Sequence, residues 1–248
     1  MGHFLNLSIR FLDPVPSFHG RGDGGTPEWP PSPLRVFQAL LRAAAVKWHT
    51  IDIFQPVLRC LEKQQPQILA PLVRAQRTPY RMYVPNNAAD LVAAAWARGS
   101  DASIAEHRIE KEVRPSRLID GDTIHYLFML PAELIEHFNM IRSTARSITH
   151  LGWGIDMVAA DASLINEEEI GKLPGERWIA DSTGGTRLRV PIDRTLEALM
   201  KRHYAFLNRL GHDGFHPVPP LAAFRLVGYR RAHEPIPRPF ADVNLGNQ

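Results

Sequence analysis

The chain has 248 residues, of which 44% are hydrophobic and 22% are charged, with a formal net charge of +3 and a single cysteine, Cys60. A chain of this length can bury a large core, and we expect one main domain with a C-terminal extension. The lone cysteine excludes an intramolecular disulfide, and no apolar run is long enough to span a bilayer. Because the first residues lead directly into a strand pattern without a signal peptide, we expect a cytoplasmic protein without membrane contact.

The first predicted strand covers His3 to Leu12, where apolar and polar residues alternate. This alternation predicts one face buried in the core. The segment Asp13 to Pro31 follows and is rich in glycine and proline. Residues 20–31 contain too little apolar surface to fold alone, so we expect this loop to be mobile without a partner.

A helix is predicted to begin at Pro33, because Ser32 can cap it through its hydroxyl and proline suits the first helical position. Apolar residues form a broad buried face, while Arg35 and Arg42 lie on the opposite polar stripe. The unpaired amides of this N-terminus can hold a phosphate with help from Arg35. The alternative is a capped core helix with a surface arginine, and both interpretations predict that Arg35→Ala leaves stability unchanged.

A second helix is predicted over Asp52 to Gln64, and Gln67 to Ala75 suits an edge strand because it contains Pro71. The next stretch, 74–87, interleaves arginines with tyrosines, a spacing that suits phosphate pairing and base stacking. A solvated loop with its tyrosines packed inward explains the composition equally well. The residues in question are Arg74, Arg77, Tyr80, Arg81 and Tyr83.

The segment 106–117 alternates acidic residues with Lys111, Arg114 and Arg117, which is typical of a solvated face or a hairpin arm. A helix at 87–98 is predicted before this segment. After it we expect, in order, a turn at 120–122, a strand at 123–130, a helix at 131–150, a Leu-Gly turn before Trp153, and a strand at 155–165.

The order strand, helix, strand, strand, helix, strand predicts an α+β class with a ferredoxin-like domain over residues 1–165 and the helix at 87–98 as an insertion. The remainder, 166–248, is predicted to be a small extension. It begins with an acidic linker at 166–175, continues with Arg187, Arg189 and a helix at 193–210, and ends with a basic strand at 221–231. Residues 238–245 resemble the entry to a further strand.

Catalytic and metal-binding patterns are weak in this sequence. The densest histidine group, His203, His212 and His216, crosses a Gly-Pro loop with one aspartate, and loop histidines explain it better than zinc. No nucleotide fingerprint or nucleophile elbow is present. We therefore predict no cofactor, no metal and no catalytic residue, although histidines and tyrosines suited to metal-independent RNA cleavage are available.

Three short motifs resemble a known family. They are Trp-Pro-Pro-Ser-Pro-Leu-Arg at 29–35, Tyr-Val-Pro-Asn-Asn at 83–87, and Leu-Gly at 151–152. They are similar to motifs in the fused cap-and-processing protein of type I-G (formerly I-U) CRISPR complexes, a member of the RAMP superfamily of RNA-binding proteins. In that family a second RAMP half, which processes CRISPR RNA, begins near the end of this sequence.

The resemblance implies a non-catalytic RNA-binding subunit that holds the 5′ handle of CRISPR RNA in a Cascade-type complex. It also implies contacts with the backbone and large subunits of that complex, and target DNA as an indirect partner. The rival hypothesis is a CRISPR RNA-processing endoribonuclease, expected if a processing half is present, and a third is a scaffold that contacts only protein. The predicted RNA-binding residues are Ser32, Arg35, Arg42, Arg74, Arg77, Tyr80, Arg81, Lys111, Arg114, Arg117, Trp153, Arg187 and Arg189.

Overall fold

The computed structural model describes residues 3–22, 25–76, 78–85, 89–101, 103, 108–211 and 214–233. The helices are α1 (Pro33–Trp48), α2 (Gln55–Leu61), α3 (Ala89–Ala97), α4 (Phe138–Ala145), α5 (Glu167–Ile170) and α6 (Thr195–Leu207), with short 3-10 helices at Asp52–Phe54 and Ala132–His137. The strands are β1 (His3–Phe11), β2 (Ser17–Phe18), β3 (Gln67–Ala70), β4 (Val73–Ala75), β5 (Tyr80–Pro85), β6 (Arg108–Val113), β7 (Ser116–Leu118), β8 (Thr123–Leu130), β9 (Val158–Ile165), β10 (Glu176–Ala180), β11 (Thr186–Pro191), β12 (Leu210–Gly211), β13 (Gly214–Phe215) and β14 (Phe224–Arg231).

Within these residues, seven strands form one antiparallel sheet in the order β11-β14-β10-β3-β8-β1-β9. Four of them, β9-β1-β8-β3, reproduce the ferredoxin-like arrangement, with α1 and α2 between β1 and β3 and α4 between β8 and β9. The predicted α+β class is confirmed. No helix in the described part of the chain has both the length and the hydropathy needed to cross a membrane.

The main core lies between one face of this sheet and helices α1, α2 and α4. On β1 the alternating residues Leu5, Leu7, Ile9 and Phe11 are all buried, as the pattern predicts. Tyr126 on β8 fixes the start of α1 to the sheet, because its buried hydroxyl donates to the carbonyl oxygen of Pro31, 2.7 Å away. Since a buried phenol needs an acceptor, this bond sets the height of α1 above the sheet.

The opposite face of the sheet carries a smaller apolar cluster under α5. Leu69, Leu127 and Ile165 on the sheet pack with Ile170 of that helix. The helix begins with a capping box, in which Asn166 and Glu169 exchange backbone and side-chain hydrogen bonds. The segment predicted as an acidic linker therefore contains a short, capped helix.

Two details of the sheet differ from expectation. The predicted edge strand at 67–75 is divided at Pro71, and β3 is an interior strand between β8 and β10. Pro71 lies beyond β3, so it removes no ladder hydrogen bond there. The strands β10, β14 and β11 extend the same sheet, and the domain boundary at 165 stays a prediction.

The charged segment predicted as a hairpin arm forms β6, which pairs with β5, and β7, which lies between β2 and β4 in a three-stranded sheet. The helix predicted at 131–150 starts as a 3-10 turn, and the helix predicted at 193–210 corresponds to α6. The predicted cap Asn87 and the strand expected at 238–245 lie outside the described residues.

Candidate nucleic-acid interface

The entry to α1 is organised by a buried carboxylate. Glu28, whose side chain is 5% exposed, accepts the backbone N–H of Ser32 at 2.6 Å. It also accepts Nε and Nη2 of Arg35 at 2.9 and 3.1 Å, so the guanidinium and the carboxylate form a two-bond fork. Glu28 thus occupies the place at the helix N-terminus where an anion is favoured.

This geometry corrects two expectations. Ser32 is the N-cap residue by position, but its hydroxyl makes no capping hydrogen bond, because the Glu28 carboxylate lies beside the helix entry instead. Arg35 is not a surface arginine, since its side chain is only 18% exposed and its Nη2 also donates to the carbonyl oxygen of Arg21 at 3.0 Å. Its guanidinium also lies 5.7 Å from the ring centre of Phe18.

The loop expected to be mobile is tied down in its described parts, 20–22 and 25–31. The N–H of Glu28 donates to the carbonyl oxygen of Gly20, and the N–H of Gly22 donates to that of Thr26. The indole N–H of Trp29 donates to the carbonyl oxygen of Pro71 at 3.1 Å. These bonds hold the described parts of the loop, together with Trp29, which packs against the main core.

A second buried network lies just before this loop. The Nδ1 of His19 is 2.5 Å from the carboxylate of Asp156, which also accepts the His19 backbone N–H. The Nε2 of His19 contacts the hydroxyl of Tyr80. Since Nδ1 donates to the carboxylate, Nε2 is the acceptor for the phenol. Burial raises the pKa of Asp156, although the hydrogen bond from His19 opposes this, and burial with the nearby Asp156 charge raises the pKa of Tyr80.

Tyr80 is therefore a predicted site residue that packs inward, as Ser32 and Arg35 do, and sequence reasoning missed its two partners. His19 and Asp156 are 137 positions apart. No local spacing could have connected them, and only the pairing of β1 with β9 brings their loops together.

Two predicted arginines line a cleft of about 150 Å³ between α1 and the turn after α4. Half-buried Arg35 and exposed Arg42 line it together with Gln38, Thr149 and His150. Gly152 has φ +89°, and a Cβ there would lie 3.1 Å from Nη1 of Arg35. Any other residue would be strained by this positive φ, and its Cβ would crowd the Arg35 guanidinium, so both features favour glycine.

The outer surface of the 20–29 loop brings further predicted residues close to it. On one side, Arg114 lines a cavity of about 330 Å³ with Arg21 and Thr26. On another side, Arg187 lines a cavity of about 470 Å³ with the same threonine. Arg21 lies with its guanidinium 5.9 Å from the ring centre of half-buried Trp153.

The three-stranded sheet places two predicted arginines directly opposite each other. Arg74 on β4 pairs in register with Arg117 on β7, which pairs in turn with Ser17 on β2. Residues opposite each other in antiparallel strands point to the same face, and both arginines are exposed. In the described part of the chain neither has an acidic partner. Like charges directly opposite are destabilising unless an anion lies between them.

The other predicted residues are more dispersed. Arg81 forms an ion pair with Glu110 across the two-stranded β5–β6 sheet at 3.0 Å, and Lys111 is exposed on β6. Arg189 on β11 is half-buried with its guanidinium 5.4 Å from the ring centre of Phe224. Arg77 lies outside the described residues.

No group of three histidine, cysteine, aspartate or glutamate side chains within the described ranges could hold a metal ion. Of the three histidines considered for zinc, His212 lies outside those ranges. The predicted residues that the structure describes bring cations and aromatic rings close together around the 20–29 loop, and two further cations together on the three-stranded sheet. Charge and ring stacking are the means by which proteins in general bind the phosphates and bases of nucleic acids.

Comparison with known proteins gives a family and a distant structural likeness. Residues 8–247 match the family model described as CRISPR-associated protein, GSU0054 family. No curated protein is similar enough to count as a match. The crystal structure of a CRISPR protein from Archaeoglobus fulgidus is similar at 16% identity and a TM-score of 0.35, over 67% of this chain and 65% of that one.

Proposed function

Because the chain belongs to the GSU0054 family of CRISPR-associated proteins, which places it in CRISPR defence, we propose that it is the RNA-binding subunit that holds the 5′ handle of CRISPR RNA and caps one end of a type I surveillance complex. The backbone and large subunits of that complex are its proposed protein partners. The family model spans nearly the whole chain. The motifs at 29–35 and 83–87 support the assignment to the fused type I-G protein.

The observation that carries the RNA-binding proposal is the cross-strand pair Arg74 and Arg117 with Ser17 beside it. Two exposed guanidinium groups held opposite each other repel in the free protein. A phosphate between them accepts bonds from both and removes the repulsion. The Ser17 hydroxyl beside them already donates to the carbonyl oxygen of Val15 at 3.1 Å. The arrangement is thus poised for a sugar-phosphate backbone rather than for an acidic side chain of the same chain.

The test is the salt dependence of binding to a repeat-derived RNA that contains the 5′ handle. Removing one phosphate contact lowers the slope of log affinity against log salt by about 0.7 for single strands. Because Arg74 and Arg117 share one phosphate, Arg74→Ala/Arg117→Ala should lower the slope by about that amount. Arg146→Ala is the matched control, because Asp161 keeps its second partner, Arg142. An unchanged slope in the double variant would refute the assignment of this pair.

The free protein gives a second, independent readout. Arg74→Ala removes a like-charge repulsion, so without RNA its free energy of unfolding should be equal to that of the wild type or higher by a few tenths of a kcal/mol. A clear loss of stability would show that the two arginines have partners within the protein, and the phosphate interpretation would fail.

Metal-independent RNA cleavage is the second candidate, favoured by the network of Tyr80, His19 and Asp156. An imidazole oriented by a carboxylate and bonded to a phenol is a combination that can move protons. The experiment is incubation of the purified chain with repeat RNA in EDTA. One specific cut that disappears in both His19→Gln and Tyr80→Phe would support an enzyme, and intact RNA would leave the binding subunit as the function.

A further inference from the structure

The second half of α6 projects beyond the core. At the start of the helix Leu196 is fully buried. From residue 200 onward nearly every side chain is exposed, and these include Met200 (42%), Tyr204 (70%) and Leu207 (63%). Large apolar side chains this exposed on a regular helix indicate a contact surface when they are contiguous.

Helical geometry makes these three residues contiguous. Met200, Tyr204 and Leu207 stand at positions i, i+4 and i+7, and at about 100° per residue they fall within about 60° of one another around the axis. Leu196 lies on the same side of the helix. The face that packs on the core at the beginning of α6 therefore continues beyond the core, and there none of the described residues covers it. This spacing is the one with which an amphipathic helix enters an apolar groove.

The charges of this half-helix are all of one sign. Between residues 200 and 209 the charged residues are Lys201, Arg202 and Arg209, and the sequence contains no acidic residue there. Lys201 and Arg202 lie about 100° and about 200° around the axis from Met200, so they stand beside and behind the apolar face. Arg209 lies at the helix end with its guanidinium 3.8 Å from the ring centre of Phe206.

This distribution favours a protein over a nucleic acid as the occupant. A single-stranded nucleic acid needs stacking rings and cations on one shared face, because each base is linked through its sugar to a phosphate only a few ångströms away. Here the shared face carries one ring, Tyr204, between the thioether of Met200 and the aliphatic Leu207. Lys201 and Arg202 lie outside that face. An apolar groove with an acidic rim complements both features.

We propose that residues 200–207 of α6 dock into an apolar, acid-rimmed groove on another protein subunit of the same complex. That the partner is such a subunit rests on the proposed function. The docking face itself is separate from the arginine pair on the three-stranded sheet, so the two proposals can fail independently.

The test uses each of the other protein subunits encoded by the same CRISPR locus, purified singly and titrated with the full chain. Met200→Gln/Leu207→Gln keeps side chains of similar length and good helix formers but removes the apolar anchors. We expect at least a tenfold loss of affinity for one subunit, and weaker binding at high salt and in Lys201→Glu. Lys172→Ala, which removes an exposed cation outside α6, is the matched control and should bind normally.

Three outcomes would overturn the proposal. The first is equal binding by the double variant, or no binding of any subunit by the wild type. The second is loss of handle-RNA affinity in the double variant, which would assign the face to nucleic acid. The third is a concentration-dependent dimer of the free chain that the double variant abolishes, which would assign the face to a second copy.

Footprinting with hydroxyl radicals gives a check that does not depend on affinity. Met200, Tyr204 and Leu207 should react readily in the free chain and become protected in the complex with the subunit. Protection that is already present in the free chain and disappears when residues 234–248 are removed would assign the face to the chain's own C-terminal segment. That result would also overturn the proposal. RNA binding by the wild type, measured in parallel, tests the proposed function separately.

Discussion

Removing the guanidinium of Arg35 should destabilise the protein strongly. In Arg35→Ala the Glu28 carboxylate, which is 5% exposed, loses its positively charged partner. It keeps the Ser32 N–H as a hydrogen-bond donor at the helix entry. Breaking a buried ion pair by removing one partner costs about 3–5 kcal/mol, and the partial exposure of Arg35 places this case at about 3 kcal/mol. For a protein of this size that corresponds to a fall in Tm of roughly 6–12 °C.

Chemical denaturation monitored by tryptophan fluorescence measures this loss directly. Arg42→Ala is the matched control, because Arg42 is an exposed arginine on the same helix and its removal should change stability by no more than about 0.5 kcal/mol. The double variant Glu28→Gln/Arg35→Met should be less destabilised than the sum of its single changes, since it leaves no unpaired charge buried. If Arg35→Ala unfolds within about 0.5 kcal/mol of the wild type, the ion-pair argument is wrong and Arg35 returns to the surface-arginine interpretation.

Three further changes test other parts of the fold. Tyr126→Phe removes the bond to the oxygen of Pro31 and should cost about 1–2 kcal/mol in chemical denaturation, and an unchanged value would mean that this bond does not fix α1. Gly152→Ala should cost about 1–3 kcal/mol because its φ of +89° is strained for alanine, and no loss would contradict the described turn. The bond from Arg230 lowers the pKa of Asp181 to about 2 from its usual 3.8, so the stability it contributes is present above pH 4 and is lost as pH falls through 2. The difference in free energy of unfolding between the wild type and Asp181→Asn should therefore shrink as the pH falls over that acid range. A difference that grows would show that the folded state does not lower the pKa of Asp181.

Local patterns in the sequence were sufficient for the elements that depend on local chemistry. The alternation on β1, the prolines before α1 and the apolar run of β8 each predicted their element, and α1 and β8 begin at the predicted residues, Pro33 and Thr123. These signals come from neighbours a few positions apart. The order of the elements then gave the ferredoxin-like core.

Interactions between distant residues could not be predicted in this way. Arg35 has the helical position of a surface residue, and only the fold of the preceding loop places Glu28 against it. The pairing of His19 with Asp156 depends on two loops that meet after the sheet has formed. The interior position of β3 depends on β10, a strand that comes more than a hundred residues later.

The strand order at the far edge of the main sheet also determines when the molecule can become complete. β14 lies between β10 and β11, so these two earlier strands make no ladder with each other and wait for a strand that emerges later from the ribosome. Until then the growing sheet stops at β10, whose unpaired edge is a template for pairing with other chains. Such long-range insertion is slow relative to local folding. The nascent protein should therefore be most vulnerable to aggregation, and most dependent on chaperones, in the interval between synthesis of β11 and synthesis of β14.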